Sequence, residues 1–166
     1  VKTIAELNMA KDGTLYTLVY GRAIAAAVDP IEKKPLFHFY PGSRAFSIAA
    51  PGCNFRCAFC QNYNIPQAPR EEDLIEGQPL SPGQVAVAAR RAGCTSVAYT
   101  YTEPTIFAEY ALDCAREAQA QGLKNVFVSN GYMTGELLEQ MAGLIDAINV
   151  DLKAGRGEFY RRISGA

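Results

Sequence analysis

From residue 46 onward, short apolar runs alternate with segments of helical periodicity. Four runs are apolar along most of their length, which is typical of strands buried on both faces of a parallel sheet. Helical segments separate them, as crossover connections between parallel strands require. The pattern therefore predicts an α/β fold whose parallel strands are covered by helices, with strands at 46–50, 96–101, 125–129 and 147–151.

The helical segments carry recognisable start and stop signals. A Ser or Thr N-cap, a Pro in the first turn and a Gly after the last turn mark helix ends. These signals are Ser81 with Pro82, Gly93, Pro104, Gly122 and Thr134, and a further helix is predicted to begin near Glu158. A complete eight-unit β/α barrel needs about 250 residues, whereas this chain has 166. We therefore expect a partial, truncated TIM-type β/α barrel.

The segment before residue 46 has a different pattern. In residues 15–20, Leu15, Thr17 and Val19 alternate along the chain with Tyr16, Leu18 and Tyr20, and a second short stretch at 36–40 follows a turn-rich segment. Alternation of this kind indicates antiparallel strands. We predict an N-terminal β-hairpin or flap in residues 1–45, packed on a core formed by residues 46–166.

Composition excludes some classes of function. Lys and Arg total 16 and Asp and Glu total 17, for a net charge of -1, whereas proteins that bind nucleic acid through a broad electrostatic surface are usually basic. No apolar run approaches 18 residues, and no signal-peptide pattern begins the sequence. We expect a cytoplasmic protein that binds neither nucleic acid nor membranes.

Three of the five cysteines lie within eight residues, as Cys53, Cys57 and Cys60. An odd number of cysteines without a secretion signal argues against a disulfide framework. Three sulfurs on one irregular loop can instead point at a common metal ion or iron–sulfur cluster. No fourth cysteine is adjacent, so the site is either open for a ligand, as in catalysis, or a structural zinc site completed by His38.

The sequence around these cysteines resembles the signature of radical S-adenosylmethionine (radical SAM) enzymes, including the aromatic Phe59 before the last cysteine. The longer string at 51–62 is similar to the branch related to pyruvate formate-lyase activating enzyme. Together with the motifs at 101–105 and 151–153, it looks most like the radical SAM member of the AmmeMemoRadiSam system.

The resemblance implies a [4Fe-4S] cluster held by the three cysteines and S-adenosylmethionine (SAM) bound at its fourth iron. Reductive cleavage of SAM would give a 5′-deoxyadenosyl radical that abstracts hydrogen from a substrate. Kinship with activating enzymes implies a glycyl radical enzyme as protein substrate and a flavodoxin- or ferredoxin-type reductant, although another protein or a small molecule also fits. A non-catalytic iron–sulfur electron-transfer or carrier protein and a structural zinc module are the alternatives.

Other polar residues follow the predicted strands at the same end as the cysteine loop. Glu103 follows the second strand, Ser129 ends the third, and Asp151 and Lys153 follow the fourth. Because ligands of parallel α/β folds bind beyond the carboxyl ends of the strands, we expect these residues to converge on one site.

The resemblance implies a role for each of these side chains toward SAM. Glu103 would accept from the amino group, Ser129 and Lys153 would hold the carboxylate, Asp151 would contribute to a nearby cation site, and Phe59 would line the adenine. The structural alternatives are a carboxylate at a helix N-terminus for Glu103, a solvated Asp151–Lys153 ion pair, and loop packing for Phe59.

Overall fold

A computed structural model describes residues 7–71 and 75–166 of the chain. Short strands and helices alternate through the described part, and the strands include both hairpin partners and members of a larger sheet. The strands are β1 (Asn8–Lys11), β2 (Thr14–Thr17), β3 (Arg22–Ala23), β4 (Ala25–Pro30), β5 (Arg44–Ala49), β6 (Gln78–Pro79), β7 (Ser96–Tyr99), β8 (Lys124–Ser129) and β9 (Ala147–Val150).

The helices lie between the strands of the second part of the chain and after the last of them. They are α1 (Asn64–Glu71), α2 (Pro82–Arg91), α3 (Ala108–Ala120), α4 (Gly135–Met141) and α5 (Gly157–Phe159). Tighter turns of 3-10 type occupy Ile31–Lys33 and Pro104–Phe107, and a π turn at Tyr160–Ser164 continues α5.

The main sheet has five strands in the order β4-β5-β7-β8-β9. The four strands β5, β7, β8 and β9 run parallel, while β4 pairs with β5 in the antiparallel sense. The sequence-based prediction of an α/β fold with four parallel strands is therefore confirmed, and each strand begins within two residues of its predicted start. The second strand ends at Tyr99 rather than 101, because Tyr101 has a left-handed φ of 64° that cannot continue a strand.

The predicted helix caps form as expected. Ser81 and Gln84 form a capping box at the start of α2, in which the Ser81 hydroxyl accepts from the Gln84 N–H at 3.4 Å and the Gln84 side chain accepts from the Ser81 N–H at 2.8 Å. Thr134 caps α4 by accepting from the Leu137 N–H at 3.4 Å. These contacts satisfy amide groups that have no partner within their own helix.

The two faces of the sheet differ in side-chain size. Large residues on one face, such as Ile48, Tyr99 and Phe127, pack with residues of α2 and α3 into the main core. The opposite face presents small side chains, including Ala45 and Ala98, and buries a second, smaller cluster. Burial on both faces explains why β5, β7 and β8 are apolar along most of their length rather than alternating.

The N-terminal segment differs from the prediction in its strand pairing. A hairpin does form, but it joins β1 to β2, with Asn8 opposite Thr17. The predicted strand at 36–40 is wrong: this stretch forms turns, and its Leu36 and Phe39 pack beneath the small face of the sheet. A five-residue stretch of mostly apolar and aromatic residues does not distinguish a strand from a turn-rich segment whose apolar side chains pack against a core.

Strand β4 was not predicted, and it links the first 45 residues to the main sheet. It pairs with β5 over its whole length, from Ala25 opposite Ala49 to Pro30 opposite Arg44. The N-terminal segment therefore contributes an edge strand as well as a hairpin. The division of the chain into a segment at 1–45 and a core at 46–166 stays a prediction.

A buried ionic cluster joins β4 to the strands beside it. The Asp29 carboxylate accepts from two ammonium groups and a hydroxyl, each at 2.7 Å, and from one phenol; the donors are Lys33, Lys34, Ser47 and Tyr101. Burial opposes ionisation of Asp29, but these donors outweigh that effect and hold the pKa of the carboxyl well below its usual range.

Among the described residues, no helix combines the length and the apolar character that a membrane span requires.

Candidate functional site

The cysteine loop begins directly after β5, at the carboxyl end of the parallel strands. Gly52 precedes Cys53 with a φ of 98°, a conformation that favours glycine. A Cβ added at Gly52 would lie 2.2 Å from the Leu7 Cδ1 atom, so a larger residue does not fit without displacing Leu7. The chain thus turns sharply from the strand into the loop.

The three thiols lie in a partly buried environment. Cys57 is buried, and Cys53 and Cys60 are half-buried. Burial raises the pKa of the Cys53 thiol to about 12 and also raises the pKa of Cys57, although the Lys153 ammonium and the Ser164 hydroxyl favour the Cys57 thiolate. A positive metal centre would reverse this balance, because bound metals deprotonate thiols.

The loop is held from the side of the C-terminal segment. The Arg56 N–H donates to the Ser164 carbonyl at 2.7 Å, and the Ala58 N–H donates to the Ile163 carbonyl at 3.0 Å. These two hydrogen bonds lie on either side of Cys57 in the chain. The backbone around the middle cysteine is therefore fixed by residues more than 100 positions away.

Helix α1 supports the loop from a second side. A proline inside a helix removes a backbone hydrogen bond, yet Pro69 lies inside α1. The buried Gln67 side chain of this helix donates to the Phe55 carbonyl at 3.2 Å. The helix therefore forms despite its proline and carries a contact that orders the cysteine loop.

A pair of asparagines joins the cysteine loop to the end of β8. The Asn130 side chain donates to the Asn54 side-chain oxygen at 2.7 Å, and the Asn54 side chain donates to the Tyr132 carbonyl at 3.4 Å. Asn54 was not among the predicted site residues, and its position between Cys53 and Cys57 was the only sequence signal for it. Asn130 follows the predicted site residue Ser129, but with Gly131 it formed only a turn signal in the sequence.

Glu103 is the most buried acid of the site, with 2% of its surface exposed. Its carboxylate accepts from the Ser129 hydroxyl at 2.7 Å, from the Asn130 N–H at 2.8 Å and from the Thr105 N–H at 3.2 Å. Burial raises the pKa of Glu103 even though these donors favour its charged form. Glu103 therefore also acts as the N-cap of the turn at Pro104–Phe107.

Ser129 is joined to Glu103 rather than free. Its hydroxyl donates to the Glu103 carboxylate and accepts from the Gly131 N–H at 3.0 Å. The predicted convergence of these two residues is observed directly as a side-chain hydrogen bond across neighbouring strands. A ligand that uses either group would have to exchange with, or add to, this contact.

Lys153 lies between Asp151 and the cysteine loop. Its ammonium forms an ion pair with the Asp151 carboxylate and stands 5.7 Å from the centre of the Phe59 ring, within the range of a cation–π contact. Partial burial of Lys153 disfavours its charged form. The Asp151 carboxylate outweighs this effect, with a smaller contribution from Cys57 and Cys53, so the pKa of Lys153 is raised. Lys153 therefore stays positively charged near the thiols.

The structure does not bring His38 to the cysteines. His38 is exposed, and its neighbour Phe39 packs with Ala45 at the start of β5, whereas Cys53 follows the end of that strand. A six-residue strand is roughly 20 Å long, which separates the two groups. In residues 7–71 and 75–166, no three His, Cys, Asp or Glu side chains are arranged to hold a metal ion.

The predicted site residues thus lie around one loop at one edge of the sheet. Direct contacts join Glu103 to Ser129 and join Lys153 to Asp151 and Phe59. Longer-range electrostatic interactions link Glu103 to Cys53 and Lys153 to Cys57. The roles that the resemblance gives to these eight residues stay predictions. These residues supply three thiols, one ammonium group and one buried carboxylate at the same end of the sheet.

A comparison with protein families decides the relationship. Residues 47–166 match the family described as the Radical SAM superfamily, which covers more than half of the chain and includes the whole site. The chain belongs to the radical SAM superfamily. Members of this superfamily typically bind a [4Fe-4S] cluster and SAM and catalyse redox reactions. Membership therefore supports a function of the radical SAM type for this chain.

Two proteins of Methanocaldococcus jannaschii resemble this radical SAM chain. Uncharacterized protein MJ0808 is 43% identical over 155 residues, which are 93% of this chain and 45% of that protein. Uncharacterized protein MJ0674 is 28% identical over 116 residues, which are 68% of this chain and 34% of that protein. The chain therefore spans less than half the length of each of these relatives.

Proposed function

We propose that this chain forms the part of a radical SAM enzyme that binds the [4Fe-4S] cluster on Cys53, Cys57 and Cys60 and holds SAM beside it. The observation that carries the proposal is the position of Lys153. Its ammonium stands 5.7 Å from the centre of the Phe59 ring and interacts electrostatically with the Cys57 and Cys53 thiols. Glu103 and Ser129 lie at the same end of the sheet.

The residues present fit an iron–sulfur cluster in chemistry and charge. Three thiols on one loop supply soft ligands for iron, and the Lys153 ammonium offsets the negative charge that three thiolates bring. The Ser164 hydroxyl is buried without a hydrogen-bond partner within the described residues and lies beside Cys57. An unpartnered donor next to a ligand sulfur is what a bound cluster would satisfy.

When bound, the cluster and SAM would supply a 5′-deoxyadenosyl radical that removes a hydrogen atom from the substrate. The chain's own residues would bind and orient the cofactor. Lys153 would turn from Asp151 toward the SAM carboxylate, assisted by Ser129, and Glu103 would face the SAM amino group. Phe59 would stack against the adenine, and Asp151 would contribute to a cation site.

The partial TIM-type barrel belongs to the same proposal. Four parallel strands carry large residues on the face toward the helices and small residues on the other. In a β/α barrel the second face is the interior, and sites lie at the carboxyl ends of the strands. The additional length of the relatives is sufficient for the remaining units of such a barrel.

The proposed substrate classes rest on the family resemblance of the motifs at 51–62 and 151–153. We propose a protein related to pyruvate formate-lyase activating enzyme and to the radical SAM member of the AmmeMemoRadiSam system. The substrate would then be a glycyl radical enzyme or another protein or small molecule, and a flavodoxin- or ferredoxin-type protein would deliver the electron. The proposal includes no nucleic-acid partner.

A second candidate function has one observation in its favour. The Glu103 carboxylate already accepts from three protein donors, as a structural N-cap would, and leaves little capacity for a ligand's amino group. A non-catalytic iron–sulfur electron-transfer or carrier protein would use the cysteines and leave Glu103 in this role. Binding of SAM distinguishes the two functions.

Electron paramagnetic resonance on anaerobically reconstituted, dithionite-reduced protein tests the proposal, with SAM and without it. We expect a [4Fe-4S] signal that changes shape when SAM is added, because SAM would bind at the iron that has no cysteine ligand. A cluster signal indifferent to SAM would favour the carrier protein. Zinc in place of iron after reconstitution would overturn both.

Lys153→Ala should weaken SAM binding by roughly tenfold or more, because a charge-assisted hydrogen bond is lost. The iron content should stay unchanged, since Lys153 is not a ligand. Calorimetric titration of the reconstituted protein with SAM measures the affinity. Lys124→Ala is the matched control, because it removes an ion pair with Asp146 at the opposite end of the sheet. Equal SAM affinity in both variants would remove Lys153 from the site.

A further inference from the structure

Ser164 is the last residue of the π turn and is completely buried. Its hydroxyl oxygen has no hydrogen-bond partner within residues 7–71 and 75–166. A buried hydroxyl that makes no hydrogen bond destabilises the fold, so such a group calls for a specific explanation. Nothing in the sequence pattern around Ser164 marks it as a site residue.

The surroundings of Ser164 place it against Cys57. The Ser164 and Ile163 carbonyls accept from the amides of the residues on either side of Cys57. Gly165 has a left-handed φ of 64°, and a Cβ added there would lie 2.9 Å from the Arg56 Cβ atom. The two segments therefore approach closely, and the short, buried Ser164 side chain lies where the C-terminal segment runs beside Cys57.

The electrostatics agree with this placement. The Ser164 hydroxyl favours the thiolate form of Cys57, alongside the more distant Lys153 charge. Neutral thiol sulfur is a weak hydrogen-bond acceptor, whereas a charged acceptor such as a thiolate forms a stronger hydrogen bond.

We propose that Ser164 is a positioning residue whose hydroxyl donates a hydrogen bond to the Cys57 sulfur when that sulfur ligates the cluster. The inference rests on the proposed function, because it requires a cluster on Cys57. Hydrogen bonds to the sulfurs of an iron–sulfur cluster stabilise its more negative, reduced state. Ser164 therefore makes the cluster easier to reduce.

Another buried serine provides a matched control. Ser96, the first residue of β7, also has a buried hydroxyl without a partner in the described part of the chain. It lies at the amino end of the strands, opposite the cysteine loop. Removing either hydroxyl deletes the same single atom from a buried position, so only the distance to the cluster differs.

The test is a redox titration of reconstituted protein, followed by the electron paramagnetic resonance signal of the reduced cluster. In Ser164→Ala, the ratio of reduced to oxidised cluster at a fixed solution potential should fall by roughly threefold to tenfold, the effect of losing one hydrogen bond. Ser96→Ala should titrate as the unmodified protein does. Ser164→Thr retains a hydroxyl and should restore the potential at least in part.

Three results would overturn this inference and leave the proposed function intact. The first is an unchanged potential in Ser164→Ala with its full iron content, the second is an equal shift in Ser96→Ala, and the third concerns the folding of the variants. Ser164→Gly removes the same hydroxyl and carries the test if the alanine variant does not fold. Loss of the cluster from both the alanine and glycine variants would assign Ser164 a purely structural role. If the unmodified protein binds no cluster, the proposed function fails and the inference fails with it.

Discussion

Cys57→Ala should abolish the [4Fe-4S] cluster rather than slow a later step. Cys57 is the middle ligand of the triplet, and its backbone neighbours are fixed by Ser164 and Ile163, so no other side chain can take its place without breaking these contacts. Iron and acid-labile sulfide after anaerobic reconstitution should fall by roughly tenfold or more, with loss of the reduced-cluster signal.

The control for this variant is Cys94→Ala. Cys94 is also a buried free cysteine whose pKa is raised by burial, but it lies before β7, at the other end of the sheet. Its replacement removes one buried thiol and should leave the iron content unchanged. A full [4Fe-4S] complement in Cys57→Ala, or equal loss of iron in both variants, would refute the ligand assignment.

Asp29→Asn should lower the free energy of unfolding by about 3 kcal/mol. The reason is Lys34, whose ammonium is almost fully buried and has Asp29 as its counter-charge. Removing one member of a buried ion pair leaves the other charge uncompensated in a medium of low polarity. The asparagine would also turn an N–H group toward donors that now point at a carboxylate. Equilibrium unfolding in urea measures the loss.

Lys33→Gln is the matched control for the ionic cluster. Lys33 also pairs with Asp29 at 2.7 Å, but its side chain is mostly exposed, and exposed ion pairs contribute little to stability. We expect this variant to unfold close to the midpoint of the unmodified protein. If Asp29→Asn were equally harmless, the buried pair would not stabilise the fold.

The effect of Asp29 should depend on pH in a defined direction. Its folded pKa lies below the ordinary value of 3.8, so the unfolded chain takes up the proton first as the pH falls. The stability contributed by the carboxylate is therefore complete above about pH 4 and is lost progressively below it. The difference between Asp29→Asn and the unmodified protein should shrink when unfolding is measured at pH 3 rather than pH 7.

The parallel strands and the helices between them were predictable because their signals are local. Apolar runs buried on both faces, the Ser81 capping box and the Thr134 cap are each determined by residues within a few positions of one another. The convergence of Glu103 and Ser129 also followed, because parallel strands place their carboxyl ends at one edge. Neither inference required knowledge of distant contacts.

Pairing in the N-terminal segment was less predictable. The strand β4 is short and rich in alanine, and it gains its place by pairing with β5, which lies later in the chain. The stretch at 36–40 has the apolar content of a strand but no partner strand in the described residues, and it forms turns instead. Strand formation depends on an available edge, which local sequence does not reveal.

The sequence by itself determined the superfamily, the three candidate iron ligands and the presence of four parallel strands, since these depend on spacing and on local periodicity. Only the tertiary structure decided what surrounds the cysteines. It brings Ser164 to Cys57, joins Asn54 to Asn130 and brings the Tyr101 hydroxyl to Asp29. These partners are far apart in the chain and lie on different segments. Their contacts arise only because packing of the whole sheet places those segments together, and no local pattern encodes that placement.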